Sequence, residues 1–146
     1  MKNKLPIVIS LLLGMLVIFG AFYLAKNNSV QSSPSQQEQA TLKTIPTQEF
    51  KNKISQTQDA IIIDVRTPEE YAQVHIKSAI NIDFYEKDFP NKLEKLDKEK
   101  TYLIYCRSGN RSGQTLNLMR QMGFKKVYDL QGGIKAWMAS GFELVK

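Results

Sequence analysis

The chain has one cysteine, Cys106, and it heads the segment Cys106-Arg107-Ser108-Gly109-Asn110-Arg111-Ser112. Gly109 and Asn110 tolerate positive φ, so this stretch can curl and turn successive backbone N–H groups into one concavity that holds an anion. Arg107 and Arg111 add full positive charges. A cysteine at the edge of such a nest has a depressed pKa and is a thiolate at neutral pH. A lone cysteine is often no more than a small buried residue. Here the flanking arginines, the glycine and a following helix all point instead to a nucleophile. With one cysteine in the chain, an intramolecular disulfide, a CxxC redox pair and a multi-cysteine zinc site are excluded. Any thiol chemistry needs an external partner.

Such a loop must be positioned by a strand before it and a helix after it. Thr101-Tyr102-Leu103-Ile104-Tyr105 reads as a buried central strand, and residues 114–122 carry helical spacing, with Leu118 and Met122 four apart and Gly123 as the stop. Upstream, residues 42–45 suggest a short strand, followed by a helix with Thr47 as N-cap and Phe50 and Ile54 on one face. The run 60–65, AIIIDV, reads as a strand buried on both faces. Thr67-Pro68-Glu69-Glu70 reads as a helix start with N-cap, Pro at the first position and acids in the first turn. Residues 79–82 suggest another strand, 89–96 a helix with Leu93 and Leu96 inward, 127–130 a last strand and 133–138 a last helix. Strands alternating with helices predict an α/β domain with a mainly parallel sheet covered on both faces. The loop then lies at the carboxyl end of a strand, where open α/β sheets place ligands.

Four segments together resemble the signatures of rhodanese-like sulfurtransferases. They are the Tyr105–Ser112 loop, YCRSGNRS; the stretch 62–71, IIDVRTPEEY; His75-Ile76 with Ala79-Ile80-Asn81-Ile82; and Gly132-Gly133-Ile134-Lys135-Ala136-Trp137. The resemblance spans residues 42–146. It implies a three-layer rhodanese-like domain in which Cys106 attacks the sulfane sulfur of a small anionic donor such as thiosulfate. Cys106 then becomes a persulfide and passes the sulfur to a thiol or cyanide-type acceptor. Arg107, Ser108, Gly109, Asn110, Arg111 and Ser112 would bind the donor, with Arg107 meeting its charge and Arg111 partly structural. No metal or organic cofactor is implied. Asp64 and Arg66 are expected to support the site by fixing the loop after their strand. His75 and Trp137 are expected to be structural. Val74 and Ser78 stand where the family commonly has glycine, and Asp83 where it commonly has proline, which bears on substrate preference.

Two rival functions use the same features. A cysteine-dependent phosphatase or arsenate reductase also places a thiolate in an anion nest, but resembles C-x5-R; here Arg111 follows Cys106 by five positions, one residue short. A non-catalytic binding or sensing module of the same fold often lacks the cysteine.

The rest of the chain bounds location and partners. Residues 5–25 form an uncharged, largely apolar run of 21 residues between Lys4 and Lys26, close to the ~20 residues that span a bilayer as a helix. Residues 1–26 are therefore expected to be a transmembrane anchor in the lipid bilayer, with a cleaved signal as the alternative. Lysines before the run favour an extracytoplasmic domain. Residues 27–41, rich in Gln, Ser and Asn, read as a linker. The net charge of +6 favours small anions, and without a dense basic run or a recognition motif no nucleic-acid partner is expected.

Overall fold

The computed structural model describes residues 39–146. Five strands alternate with five helices: β1 (Thr41–Ile45), α1 (Thr47–Gln56), β2 (Ile61–Asp64), α2 (Pro68–Gln73), β3 (Ile80–Asn81), α3 (Phe89–Glu94), β4 (Thr101–Tyr105), α4 (Asn110–Gln121), β5 (Lys126–Leu130) and α5 (Gly133–Ala139). The strands form one parallel sheet in the order β1-β5-β4-β2-β3. After β2 the chain steps outward to β3. After β4 it steps outward the other way, to β5. The direction therefore reverses between β2 and β4, and at such a switch point the helices that follow diverge and leave a crevice at the carboxyl edge.

Strand alternation divides the core into two layers. Tyr102 and Ile104 of β4 join Ile63, Val127, and Leu93, Leu116 and Met119 from α3 and α4 on one face. Leu103 and Tyr105 join Ile45, Ile62, Leu130, and Phe50, Ile134 and Trp137 from α1 and α5 on the other, with Tyr71 of α2 packed against them. The sheet is thus the middle of three layers, as expected.

Three local expectations are corrected. Thr47 is not the N-cap of α1. Pro46 occupies that position and makes no side-chain cap, because its fixed φ already suits the extended backbone a cap needs. Helix α4 begins at Asn110 rather than near residue 114, so the second half of the cysteine loop is helical, and of Gly109 and Asn110 only Gly109 has positive φ. The buried stripe of α4 is Ser112, Thr115, Leu116 and Met119, while Leu118 is only partly buried. The transmembrane anchor expected at 5–25 lies outside the described residues. Among the described residues no helix is long and apolar enough to cross a membrane.

Ser78 is the one non-glycine among the described residues with positive φ, at +66°. Its Cβ is strained there. Ser78→Gly is expected to raise the unfolding free energy by about 0.5–1 kcal/mol, strain relief exceeding the extra entropy of the unfolded chain. Urea unfolding of the two proteins measures it; an unchanged or lower midpoint would contradict the strain argument.

Candidate active site

Cys106 follows β4 directly and is 1% exposed. Its Sγ accepts hydrogen bonds from the Gly109 N–H at 3.1 Å and from the Ser112 hydroxyl at 3.4 Å. Burial pushes the thiol pKa up. The Ser112 hydroxyl and the N–H groups of Ser112, Ser108 and Gly109 outweigh that burial, and the net displacement is below the usual thiol value. The first turn of α4 supplies part of this field, since N-terminal N–H groups of a helix have no intrahelical acceptor.

The loop is held in this shape from behind. Gly132 and Gly133 both have positive φ, +74° and +60°, and turn the chain into α5 against the cysteine loop. The Ile134 N–H donates to the Cys106 carbonyl at 2.8 Å, and the Lys135 N–H to the Arg107 carbonyl at 3.2 Å. Carbonyls pinned outward leave the loop's N–H groups facing the sulfur. The sequence pattern identified Gly132-Gly133 only as part of a signature. A pair of adjacent glycines ahead of a helix was the available sign of a close backbone approach.

Arg111 and Arg107 differ. The Arg111 guanidinium makes a two-pronged pair with Glu70, Nη1 to Oε2 at 2.7 Å and Nη2 to Oε1 at 2.9 Å. Its fork is occupied, so it contributes a fixed positive charge rather than a free donor pair. This qualifies its expected role in donor binding. Glu70 also closes the cap of α2: its carboxylate accepts from the Thr67 N–H, and its own N–H donates to the Thr67 hydroxyl. Arg107 is exposed, and among the described residues its guanidinium makes no hydrogen bond or ion pair. The exposed Asn110 side chain accepts from Gln114 along the helix, so it faces away from the nest.

Asp64 and Arg66 are buried together, at 0% and 4% exposure. The Arg66 guanidinium donates to both Asp64 oxygens and to the Val74 carbonyl, and Asn81 ties the Asp64 and Arg66 carbonyls. The pair fixes the loop from β2 through α2, and thereby the helix that carries Glu70. His75 stacks on Tyr71 at 3.9 Å, and its backbone pairs with Val145. Trp137 packs between Phe50 and Phe142 and donates to the Glu143 carbonyl. Both rings are thus engaged in packing within the fold.

The Glu70 carboxyl is held below the usual carboxylate value by Arg111, with burial opposing and the Thr67 N–H assisting. A depressed carboxylate stabilises the fold above its unfolded pKa of about 4.3, and that contribution is lost as pH falls through the lower folded value. Glu70→Gln is therefore expected to cost about 1–2 kcal/mol at pH 7, and the gap from wild type should close below about pH 4. Denaturant unfolding at several pH values checks this; a gap constant down to pH 3 would exclude the ionic explanation.

Residues 46–140 match the family model of the rhodanese-like domain. The chain belongs to that family. It is similar to a sulfurtransferase of Allochromatium vinosum, 34% identical over 101 residues, covering 69% of this chain and 92% of the relative. It is also similar to the thiosulfate sulfurtransferase GlpE of Coxiella burnetii, 37% identical over 81 residues, covering 56% and 74%. The crystal structure of a rhodanese-like domain protein from Staphylococcus aureus matches with a TM-score of 0.60 at 33% identity, over 71% of this chain and 99% of that one. These rhodanese-like relatives support a general sulfurtransferase role for the α/β domain described here.

Proposed function

We propose that the rhodanese-like domain transfers a sulfane sulfur from a small anionic donor of the thiosulfate type to a thiol or cyanide-type acceptor, with Cys106 as the carrier. The observation that carries this reading is the Cys106 sulfur itself, which receives the Gly109 N–H and the Ser112 hydroxyl and has a lowered pKa. In the first half-reaction the thiolate attacks the outer sulfur of thiosulfate. The donor's S–S bond breaks, sulfite leaves with the electron pair, and Cys106 holds a persulfide. In the second, the acceptor attacks the outer sulfur and the Cys106 thiolate leaves. The loop N–H groups hold the negative charge in both. Arg107 draws the donor in, and Arg111 contributes a standing charge. Because Cys106 is almost wholly shielded, the donor meets it end-on with its terminal sulfur.

A phosphatase reading is disfavoured by Arg111, whose fork is taken by Glu70 and is not free to clasp a tetrahedral oxyanion. We further propose that residues 5–25 anchor the domain in a lipid bilayer on its extracytoplasmic side, and that nucleic acid is no partner.

The test is a thiosulfate:cyanide sulfur-transfer assay with intact mass of the protein in parallel, and Cys106→Ser as control. Turnover with a gain of about 32 Da at Cys106 is expected for a covalent sulfur intermediate. Hydrolysis of an aryl phosphate without the adduct would promote the phosphatase. A folded protein inactive in both would leave a binding module.

A further inference from the structure

Among the described residues Ile80, Tyr85 and Met138 are large apolar side chains left exposed, and Tyr85 is the most open of them at 66%. It lies in the turn between β3 and α3. The sheet is parallel and β2 lies between β4 and β3, so the chain leaves all three strands at one carboxyl edge. The exit from β4 carries Cys106, that from β2 leads to Glu70, and that from β3 to Tyr85. The Arg111 guanidinium ties these exits together. Its fork donates to Glu70, and its central carbon lies 5.5 Å from the centroid of the Tyr85 ring. The next residue, Ser112, donates to the Cys106 sulfur. Tyr85 therefore stands at the mouth of the crevice, on its Arg111 side.

The ring is held there before any ligand arrives. The Glu86 N–H donates to the Asp83 carbonyl at 3.2 Å and closes a turn, and the Tyr85 N–H donates to the Asp83 carboxylate at 3.0 Å. Asp83 stands where the rhodanese-like family commonly has proline, whose side chain offers no acceptor. Phe84 packs against the core, donates its N–H to the Val65 carbonyl, and meets the Tyr85 ring edge to face. A guanidinium laid against one face of a phenol ring attracts it. With Arg111 on that face, the exposure of Tyr85 belongs to the opposite face and the rim. Aromatic surface fixed in water gains free energy when an apolar group covers it, and being already ordered it loses little entropy.

Cys106 itself is 1% exposed. The carbon body of an organic acceptor is too wide to follow its sulfur inward and stays at the mouth. We infer that Tyr85 is a specificity-determining residue for the second half-reaction, its open ring face packing against the apolar body of an organic thiol while the thiolate attacks the Cys106 persulfide. The bond from the acceptor sulfur to the outer sulfur forms as the bond from the outer sulfur to Cys106 Sγ breaks. Cys106 leaves as a thiolate with the electron pair, and the outer sulfur moves with any proton it holds, so no oxidant or reductant is consumed. Cyanide has no apolar body to lay on the ring. The inference rests on the sulfur-transfer reading and adds to it the class of acceptor the site prefers.

The experiment measures sulfite release from thiosulfate by the full chain, with cyanide and with benzyl mercaptan as acceptors. Tyr85→Ala is expected to lower kcat/KM for benzyl mercaptan by about three- to tenfold, the scale of a lost aromatic pair. Its values for thiosulfate and cyanide should stay within about twofold of wild type, because Glu70 still holds Arg111 by two bonds. Tyr85→Phe keeps the ring and should stay within about twofold for both acceptors. An equal fall with cyanide would overturn the inference, since the ring would then act through Arg111 on the sulfur. An unchanged benzyl mercaptan value in Tyr85→Ala would overturn it as well. Wild-type protein that turns over neither acceptor would instead sink the sulfur-transfer reading, and this inference with it.

Discussion

Cys106→Ser is expected to lower sulfur transfer by at least about 10^4-fold while leaving the fold intact, in line with the loss seen when a covalent nucleophile is removed. Two physical reasons combine. The N–H groups that bring the thiol below its usual pKa act on an alcohol whose ionisation lies far higher, so almost no alkoxide forms at neutral pH. A serine oxygen also cannot hold sulfur in a persulfide. Burial is unchanged, and the Gly109 and Ser112 donors find an oxygen where the sulfur was, so the urea midpoint should move little. Measuring the thiosulfate:cyanide rate and the unfolding curve on the same samples checks both halves. Residual turnover within a hundredfold of wild type would mean that Cys106 is not the carrier.

Gly133→Ala is expected to destabilise the domain by about 3–5 kcal/mol, a sum of left-handed backbone strain, overpacking and lost hydrogen bonds. A Cβ on Gly133, at φ +60°, would lie 2.6 Å from the Arg107 carbonyl carbon and 2.7 Å from the Ser108 nitrogen, and nearer still to the Cys106 carbonyl oxygen. All three are backbone atoms, so no rotamer change relieves the clash. Helix α5 would have to withdraw, breaking the bonds from Ile134 and Lys135 to the loop carbonyls. Marginal stabilities of about 5–15 kcal/mol make this a large fraction of the total. The expected result is a much lower urea midpoint, and in the folded fraction slower adduct formation at Cys106. By contrast, a Cβ on Gly132 would meet only the Ala136 side chain, at 2.8 Å. Wild-type stability in Gly133→Ala would show that α5 and the loop are not tightly coupled.

The features legible in the sequence were those with a strong local signature. The apolar runs that became β2 and β4 declared themselves as strands buried on both faces, and Thr67-Pro68-Glu69-Glu70 carried the start of α2 in its residue types. The cysteine loop was legible because charge, glycine and cysteine coincide in seven positions. The start of α4 was obscured because Asn110, Ser112 and Gly113 are poor helix formers; the turn they form is fixed by tertiary contacts to the sulfur and the sheet. The pairing of Glu70 with Arg111 joins residues 41 positions apart, and only the adjacency of β2 and β4 brings their helices together. Asp129 carries no local signal at all. It is one acid in a strand run, and its bond from Thr44 follows from the register of β5 against β1.

The bonds from Ile134 and Lys135 to the loop carbonyls also set an order of events for a growing chain. A ribosome that has released residues through Ser112 has delivered the cysteine and its arginines, but not the groups that pin the loop. Neither β5, which lies between β1 and β4 in the sheet, nor the Gly132-Gly133 turn yet exists. Until they do, the Cys106 thiol has the acidity of an ordinary cysteine and stays mostly protonated at neutral pH. The pinned loop whose N–H groups draw the Cys106 thiol below its usual value is complete only once β5 and the Gly132-Gly133 turn have formed.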